Sequence, residues 1–227
     1  KDISNVPLDR SFFLNEPVKH PLGFTEANIV TSRGCIYNCA FCAAARSLNR
    51  DYSIREKSEL SIIQELNDII ASYPAVNSIR VLDDLFLKTN NSVQKAINVF
   101  SNFTLSWRSM AHVMTFNSID DLIMNDLKAS GCYELFIGIE SGSPKILGDI
   151  NKTKNVDTIV ANLTKVFKAG INMKGYFIYG FPDETQKDME MTFQLANRLK
   201  EISISYGTNF RTSVFQYRPY HGTQIFH

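Results

Sequence analysis

The sequence has neither an excess of one charge nor a long hydrophobic run. Its 24 basic and 23 acidic residues among 227 leave a formal net charge of +1. No basic block indicates a nucleic-acid partner, and no acidic block indicates a disordered tail. No apolar run approaches the roughly 20 residues of a membrane span, and no signal-peptide pattern is present. These absences favour a globular protein that contacts neither nucleic acid nor membrane.

Cysteine is also scarce, and three of the four cysteines lie within eight residues: Cys35, Cys39 and Cys42. This distribution excludes a disulfide scaffold, and we expect the reducing environment of the cytoplasm. Three thiols are one ligand short of a closed structural zinc site, whereas thiolates also hold iron–sulfur clusters. With three protein ligands, such a cluster keeps one iron open for a small molecule.

The fourth thiol, Cys132, lies between a predicted helix and a predicted strand. We expect it to be buried and inert, since free cysteine behaves as a small hydrophobic residue. The alternative is a zinc site in which Cys132 or a histidine supplies a distant fourth ligand.

Strand-like and helix-like segments alternate along the chain. The predicted strands are 28–32, 78–82, 104–110, 134–140, 171–179 and 205–217, and the predicted helices are 58–72, 91–103, 118–130, 156–169 and 188–202. We place Ser118 at the N-cap of the third helix, and Gly131 and Gly170 at helix ends. This alternation predicts an α/β fold with a parallel sheet. Six strands rather than eight predict a partial (β/α)6 TIM-type barrel.

Polar residues that can carry chemistry fall where the predicted strands end. The three cysteines follow the first strand, Asp83 and Asp84 follow the second, Glu140 ends the fourth, and Gly180 follows the fifth. Active sites of (β/α) barrels form at this end of the strands. The sequence therefore predicts one site that combines all of these positions.

The run TSRGCIYNCAFC resembles the radical S-adenosylmethionine (SAM) enzymes. The likeness comprises the C-x3-C-x2-C spacing, Phe41 before the last cysteine and the lead-in at 32–34. It implies that Cys35, Cys39 and Cys42 bind a four-iron, four-sulfur (4Fe-4S) cluster. It also implies that SAM chelates the open iron and is reductively cleaved to a 5′-deoxyadenosyl radical. An electron donor such as flavodoxin or ferredoxin would then be a partner.

The same resemblance implies SAM contacts at two acidic strand ends. Asp83 or Asp84 would accept from the ammonium of the methionine part, and Glu140 from that ammonium or the ribose hydroxyls. Ser141 belongs to the run GIESGS, which also resembles this family. The alternatives are ordinary turn chemistry for the aspartates and helix capping for Glu140.

Three further positions are assigned by resemblance. The backbone of Phe41 and the Gly180 region, in the run YGFPDET, would lie beside the adenine. Alternatively, the Phe41 ring only packs and Gly180 only turns the chain. His112 stands near a point where many relatives have arginine, and is a candidate proton donor, a substrate contact or a hydrogen-bonded pocket residue.

Several features most resemble the cobalamin-binding branch of the family: the segment at 5–10, the Asp83–Asp84 pair and the Glu140 run. This implies that residues 1–20 are a linker from a preceding cobalamin domain and that 21–227 form the radical SAM core. The expected function is methylation of an unactivated carbon in a small-molecule or peptide substrate. The alternatives are a methylthiotransferase-like core, or a non-catalytic metal-binding or interaction domain. Arg108, Lys152, Arg211 and Tyr217 are further cavity candidates that the sequence does not rank.

Overall fold

The computed structural model describes residues 2–4, 10, 17–19, 23–49 and 54–226. Within them, strands and helices alternate as the hydrophobic pattern predicts. The elements in chain order are β1 (Val18–Lys19), β2 (Thr25–Ile29), β3 (Ser32–Arg33), β4 (Arg55–Glu56), α1 (Glu59–Ser72), β5 (Ser78–Val81), α2 (Asn90–Phe100), β6 (Ser106–His112), a 3-10 turn (Val113–Phe116), α3 (Asp121–Ala129), β7 (Cys132–Glu140), α4 (Pro144–Asp149), α5 (Val156–Lys168), β8 (Asn172–Tyr179), α6 (Gln186–Ser205) and β9 (Phe210–Gln216).

Six strands form a continuous parallel sheet in the order β2, β5, β6, β7, β8 and β9. The short β1 pairs antiparallel with the outer edge of β2. Among the described residues, no pairing joins β9 back to β1, so the sheet remains open. Parallel neighbours need crossover connections, and helices supply them here. The predicted partial (β/α)6 barrel is confirmed.

Side chains on a strand alternate between the two faces of the sheet, and one face packs against the helices. Trp107 of β6 stacks on Phe100 of α2, with ring centroids 4.7 Å apart. Leu163 and Phe167 of α5 are fully buried in the same core. Each such burial stabilises the fold by about 1.5–3 kcal/mol. This layer holds the sheet in place, and the opposite face is left to line the barrel interior.

Gly131 and Gly170 follow α3 and α5 with φ values of 95° and 75°, so both predicted helix ends are confirmed. The predicted N-cap at Ser118 is wrong. The side chain of Asp120 caps α3 by accepting from the Ile123 N–H at 2.9 Å. The hydroxyl of Ser118 instead contacts the side chain of Asn90.

Two predicted strands are too long. The first ends at Ile29, not at 32, because the chain leaves the sheet and Ser32–Arg33 pairs with β4 in a separate two-stranded sheet. The last begins at Phe210, not at 205, because α6 continues to Ser205.

The six-residue α4 was not predicted, since it is too short to show a helical repeat. Its signals in the sequence are Ser143 as N-cap and Pro144 in the first turn.

Part of the predicted linker contacts the core. Val18–Lys19 pairs with β2, and Arg10 forms an ion pair with Glu65 at 2.9 Å. Residues 5–9 and 20–22, on which the linker and its boundary also rest, lie outside the described residues. The division of the chain at residue 20 therefore stays a prediction. Within the described part of the chain, no helix combines the length and apolar character needed to cross a membrane.

Candidate functional site

The residues predicted to form the site lie at one edge of the sheet. Asp83 and Asp84 follow β5, His112 ends β6, Glu140 ends β7 and Gly180 follows β8. Because these strands are parallel and adjacent, their carboxyl ends share that edge. The loop with the three cysteines follows β2 and β3 at the same edge.

The cysteine loop is anchored by the segment after α4. The Ala40 N–H donates to the Ile150 carbonyl at 3.1 Å, and the side-chain amide of Asn151 donates to the Asn38 carbonyl at 3.2 Å. Asn151 has a φ of 59°, a conformation that asparagine tolerates better than most residues. The helix that the sequence did not reveal therefore leads directly into the contacts that hold the loop.

The three loop thiols are free and half-buried, and they lie within electrostatic reach of one another. Burial raises the pKa of the Cys35 thiol, and it raises the pKa of Cys39 to about 11. Negative charge on Cys42 raises both pKa values further. No three histidine, cysteine or acidic side chains among the described residues converge as a single-ion site. A multi-iron cluster binds its thiolates at separate irons and does not need that convergence.

Cys132, by contrast, begins β7 and is completely buried. Burial raises its pKa strongly. Its expected burial is confirmed, and it lies within the helix-packed core.

Asp83 holds the chain where it enters the cysteine loop. Its carboxylate accepts from the Thr31 N–H at 2.7 Å and from the hydroxyls of Thr31 and Ser32 at 2.6 Å each. The residue is only 3% exposed. Asp84 is exposed, and it accepts from the Gly34 N–H at 2.7 Å. Of the two carboxylates, only that of Asp84 is exposed to solvent.

Glu140 lies at an irregular strand end. The pairing of β7 with β8 shifts register between Gly138 and Glu140, and Glu140 has a φ of 69°. Its carboxylate folds back over Gly138, where an added Cβ would approach Oε1 to 2.2 Å. Lys152 pairs with that oxygen at 2.9 Å and also donates to the Gly138 carbonyl at 2.6 Å. The bulge therefore re-aims the Glu140 side chain, and its carboxylate meets the buried ammonium of Lys152 at the carboxyl edge of the sheet.

His112 lies between this ion pair and the cysteine loop. Its ring stacks on Tyr37, with centroids 3.5 Å apart. Burial and then the charge of Lys152 lower its pKa to about 3, so the ring is neutral. Nδ1 accepts from the Met114 N–H at 3.2 Å, which assigns the proton to Nε2. Nε2 is buried and has no hydrogen-bond partner within the described part of the chain, so the site contains an unused N–H donor.

Ser141 is engaged within the protein. Its hydroxyl bonds to the Thr192 hydroxyl at 3.0 Å and accepts from the Ser143 N–H at 3.1 Å. Ser143 in turn donates to Asp188 at 2.5 Å. Gly142 approaches α6 so closely that a Cβ would lie 2.3 Å from the Met191 carbonyl oxygen. The run after Glu140 thus fastens the end of β7 to α6.

A groove of about 510 Å³ opens between Phe41 and the end of β9. The Phe41 ring packs edge-on against Phe181 at 5.6 Å, and Phe181 packs on Tyr217 at 5.3 Å. No hydrogen bond within the described residues uses the N–H or carbonyl of Phe41. Gly180 has a φ of 84°, and its N–H donates to Glu184 at 2.5 Å. The groove combines an apolar wall with Phe41, whose backbone groups are not used by hydrogen bonds among the described residues.

Four cavity candidates are now distinguishable. Lys152 lies in the site, paired with Glu140. Arg108 and Arg211 both bind Glu134 inside the barrel, and the Tyr217 hydroxyl donates to the Ile225 carbonyl at 2.6 Å. Tyr37 was not predicted as a site residue, although its aromatic side chain between two loop cysteines was an available signal.

Comparisons with known proteins identify relatives of this chain. The chain is 31% identical over 199 residues to a protein of Pyrococcus horikoshii named as an uncharacterized methyltransferase, covering 87% of this chain and 40% of that protein. It is 26% identical over 217 residues to the bacteriochlorophyllide d C-12(1)-methyltransferase of Chlorobaculum tepidum, covering 90% and 45%. The chain thus spans less than half the length of these curated relatives.

The fold also matches a solved structure, the cobalamin-dependent S-adenosylmethionine radical enzyme OxsB with aqua-cobalamin and S-adenosylmethionine bound. The TM-score is 0.62 at 21% identity, over 74% of this chain and 26% of that one. At this identity the likeness shows the fold alone. The model of the radical SAM superfamily matches residues 29–196, which include all three loop cysteines and every candidate strand end through Gly180. The chain therefore belongs to the radical SAM superfamily.

Proposed function

We propose that this chain is a catalytic core that binds a 4Fe-4S cluster through Cys35, Cys39 and Cys42 and holds SAM across the strand ends. The observation that carries the proposal is the grouping of three free thiols beside a buried Glu140–Lys152 pair. This grouping offers soft ligands and charged contacts at one edge of the sheet. The resident group, when bound, supplies the electron that cleaves SAM to a 5′-deoxyadenosyl radical.

The donor set fits a negatively charged cluster. Lys152 lies close enough to Cys39 for its charge to favour the thiolate against the larger effect of burial. The unpartnered Nε2–H of His112 offers a hydrogen bond to an acceptor on a bound group. Tyr37 stacks on that imidazole and keeps it in position. We assign His112 the role of this hydrogen-bond donor, because Nε2 is buried and has no partner among the described residues.

The same edge fits the separate parts of SAM. Glu140 offers a carboxylate to the ribose hydroxyls or the ammonium. Asp84 is the better placed member of its pair, because the oxygens of Asp83 already receive three hydrogen bonds. The groove beside Phe41 offers the apolar wall and free backbone groups that an adenine requires. Exclusion of water from the reaction falls to the surrounding aromatic side chains.

For the whole protein, we propose a cobalamin-dependent methyltransferase that receives electrons from a flavodoxin or ferredoxin in the cytoplasm. The names of the two curated relatives and the cobalamin bound to OxsB support this choice. Full-length protein should then bind a corrinoid with its own visible spectrum, whereas residues 1–227 alone should cleave SAM slowly and methylate nothing. Turnover by cobalamin-free full-length protein would refute this part and favour the methylthiotransferase-like alternative.

The core activity is tested by replacing each cysteine with alanine after anaerobic iron–sulfur reconstitution. We expect loss of the broad visible band and of 5′-deoxyadenosine formation for Cys35, Cys39 and Cys42. Cys132→Ala is the matched control and should keep both, although the cavity it leaves lowers stability. Equal loss of the cluster in Cys132→Ala would contradict the ligand assignment.

A further inference from the structure

The interior of the partial barrel is charged. Arg108 of β6 binds Glu26 of β2 through two bonds of 2.6 Å. It also reaches Glu134 of β7 at 3.3 Å, and Arg211 of β9 binds the other oxygen of Glu134. These residues come from four strands, so the contacts cross the space that the strands enclose. Two arginines and two glutamates balance each other's charge.

Two more cations, Arg80 of β5 and Lys174 of β8, face the same interior. The Arg80 guanidinium lies 5.4 Å from the ring centroid of Phe136, and Arg108 lies at the same distance. The Lys174 ammonium lies 5.5 Å from the ring of Tyr176. Among the described residues, neither Arg80 nor Lys174 has a carboxylate partner. Both are half-buried, so a ligand in the interior can reach them.

Aromatic rings form a wall beside these cations. Phe136 lies 6.4 Å from Tyr176, which lies 5.7 Å from Phe215, measured between ring centroids. The Tyr176 hydroxyl makes no hydrogen bond with the described residues. Burial raises its pKa, and the positive charge of Arg80 opposes that effect. The interior thus presents two cations that lack a carboxylate partner among the described residues, a hydroxyl and an apolar surface of mutually tilted rings.

This cluster lies below the candidate site and close to it. Phe136 precedes Gly138 by two residues on β7, and inward-facing neighbours on one strand are about 7 Å apart. Gly138 contacts Lys152 and Glu140 at the carboxyl edge. A molecule of modest size can therefore contact the cations while another part of it reaches the strand ends.

We infer that the substrate is a small organic anion, a carboxylate or a phosphate ester with an apolar group, bound between Arg80 and Lys174 against the Phe136–Tyr176 wall. The inference rests on the proposed function for the reaction, but the binding stands on the interior alone. An arginine fork matches the oxygens of either anion. A neutral occupant would leave two half-buried cations uncompensated, which is unfavourable.

The test is equilibrium binding of phenyl phosphate and of benzoate to the core, measured by calorimetry, with phenol as the neutral counterpart. We expect at least one anion to bind ~10-fold more tightly than phenol, and Arg80→Gln or Lys174→Gln to weaken it by ~10-fold, the usual loss for one charge-assisted hydrogen bond. Lys187→Gln, an exposed lysine on α6, is the matched control and should bind unchanged. The stronger of the two anions identifies the charged group.

Anion binding equal to that of phenol would overturn the inference. So would an unchanged affinity in both variants, provided that far-UV circular dichroism shows them folded. The two cations would then only stabilise the barrel. Failure of the proposed function gives a different result. The visible iron–sulfur band would then be absent while phenyl phosphate still bound.

Discussion

Asp83 and Glu140 both place a carboxylate at the end of a parallel strand, and the sequence predicts the same role for both. The structure gives them different surroundings. Asp83 is 3% exposed and accepts three hydrogen bonds from the chain that leads into the cysteine loop. Glu140 is 7% exposed, has a φ of 69°, and is held by Lys152.

The difference shows how a scaffold carboxylate can be told from one available to a ligand. The oxygens of Asp83 are occupied by groups that folding itself brings together. Glu140 has an unfavourable backbone conformation, of a kind that costs about 1–3 kcal/mol and concentrates at functional sites. The Glu140 carboxylate can bind a ligand group while it keeps its ion pair with Lys152. The following predictions test this contrast, from the largest expected effect to the smallest.

Asp83→Ala should lower the free energy of unfolding by about 3 kcal/mol, because it leaves the Thr31 N–H and two hydroxyls buried without their acceptor. Urea denaturation measures the loss. Asp84→Ala is the control and should cost less than about 1 kcal/mol, since Asp84 is exposed and accepts one bond. Equal, small losses would mean that Asp83 is not part of the scaffold.

Glu140→Gln should weaken SAM binding by ~10-fold, which corresponds to about 1.4 kcal/mol. The glutamine keeps an oxygen for Lys152 but loses the charge that would attract the ammonium. Anaerobic equilibrium dialysis with cluster-loaded protein gives the affinity. An unchanged affinity would move Glu140 into the same class as Asp83.

Gly138→Ala tests the same carboxylate without changing any charge. The added methyl group would meet Oε1 of Glu140 at 2.2 Å and displace it from its position beside Lys152. We expect SAM affinity to fall by about 5-fold, equivalent to about 1 kcal/mol. Retention of full affinity would show that the position of the Glu140 carboxylate does not matter for binding.

Ser141→Ala should have the smallest effect and should not change SAM affinity. Its hydroxyl is bonded to Thr192 and to the Ser143 N–H, so the expected loss is about 1 kcal/mol of stability. Thermal unfolding and SAM binding, measured on the same sample, separate the two effects. Weaker SAM binding at unchanged stability would restore the cofactor contact that the resemblance implies for Ser141.

Most of the fold was predictable because hydrophobic spacing reports secondary structure. The apolar stripe of α5 predicted a helix at 156–169, and the structure has Val156–Lys168. Glycine ended α3 and α5 as expected, since a positive φ is accessible to it. The errors occurred where side-chain contacts override a local pattern. Ser32 pairs with β4 and donates to Asp83 instead of extending β2, and α4 depends on a cap and a proline rather than on a repeat.

Less of the site was predictable. The strand-end positions of Asp83, Glu140 and Gly180 followed from the order of elements alone. The pairing of Glu140 with Lys152 depends on a bulge in β7, and no spacing in the sequence indicates it. The stacking of Tyr37 on His112 joins the cysteine loop to the end of β6, two segments that are far apart in sequence.

The sequence by itself determined the family, the parallel sheet and the edge at which the chemistry is expected, because cysteine spacing and hydrophobic periodicity are local properties. Only the tertiary structure decided which acidic residue is scaffold. It also decided, for the described residues, which nitrogen of His112 has no partner and which interior cations have no carboxylate partner. Those outcomes depend on side chains that are distant in sequence and become neighbours when the strands pair. Their charges and hydrogen bonds are balanced, or left open, only in the folded chain.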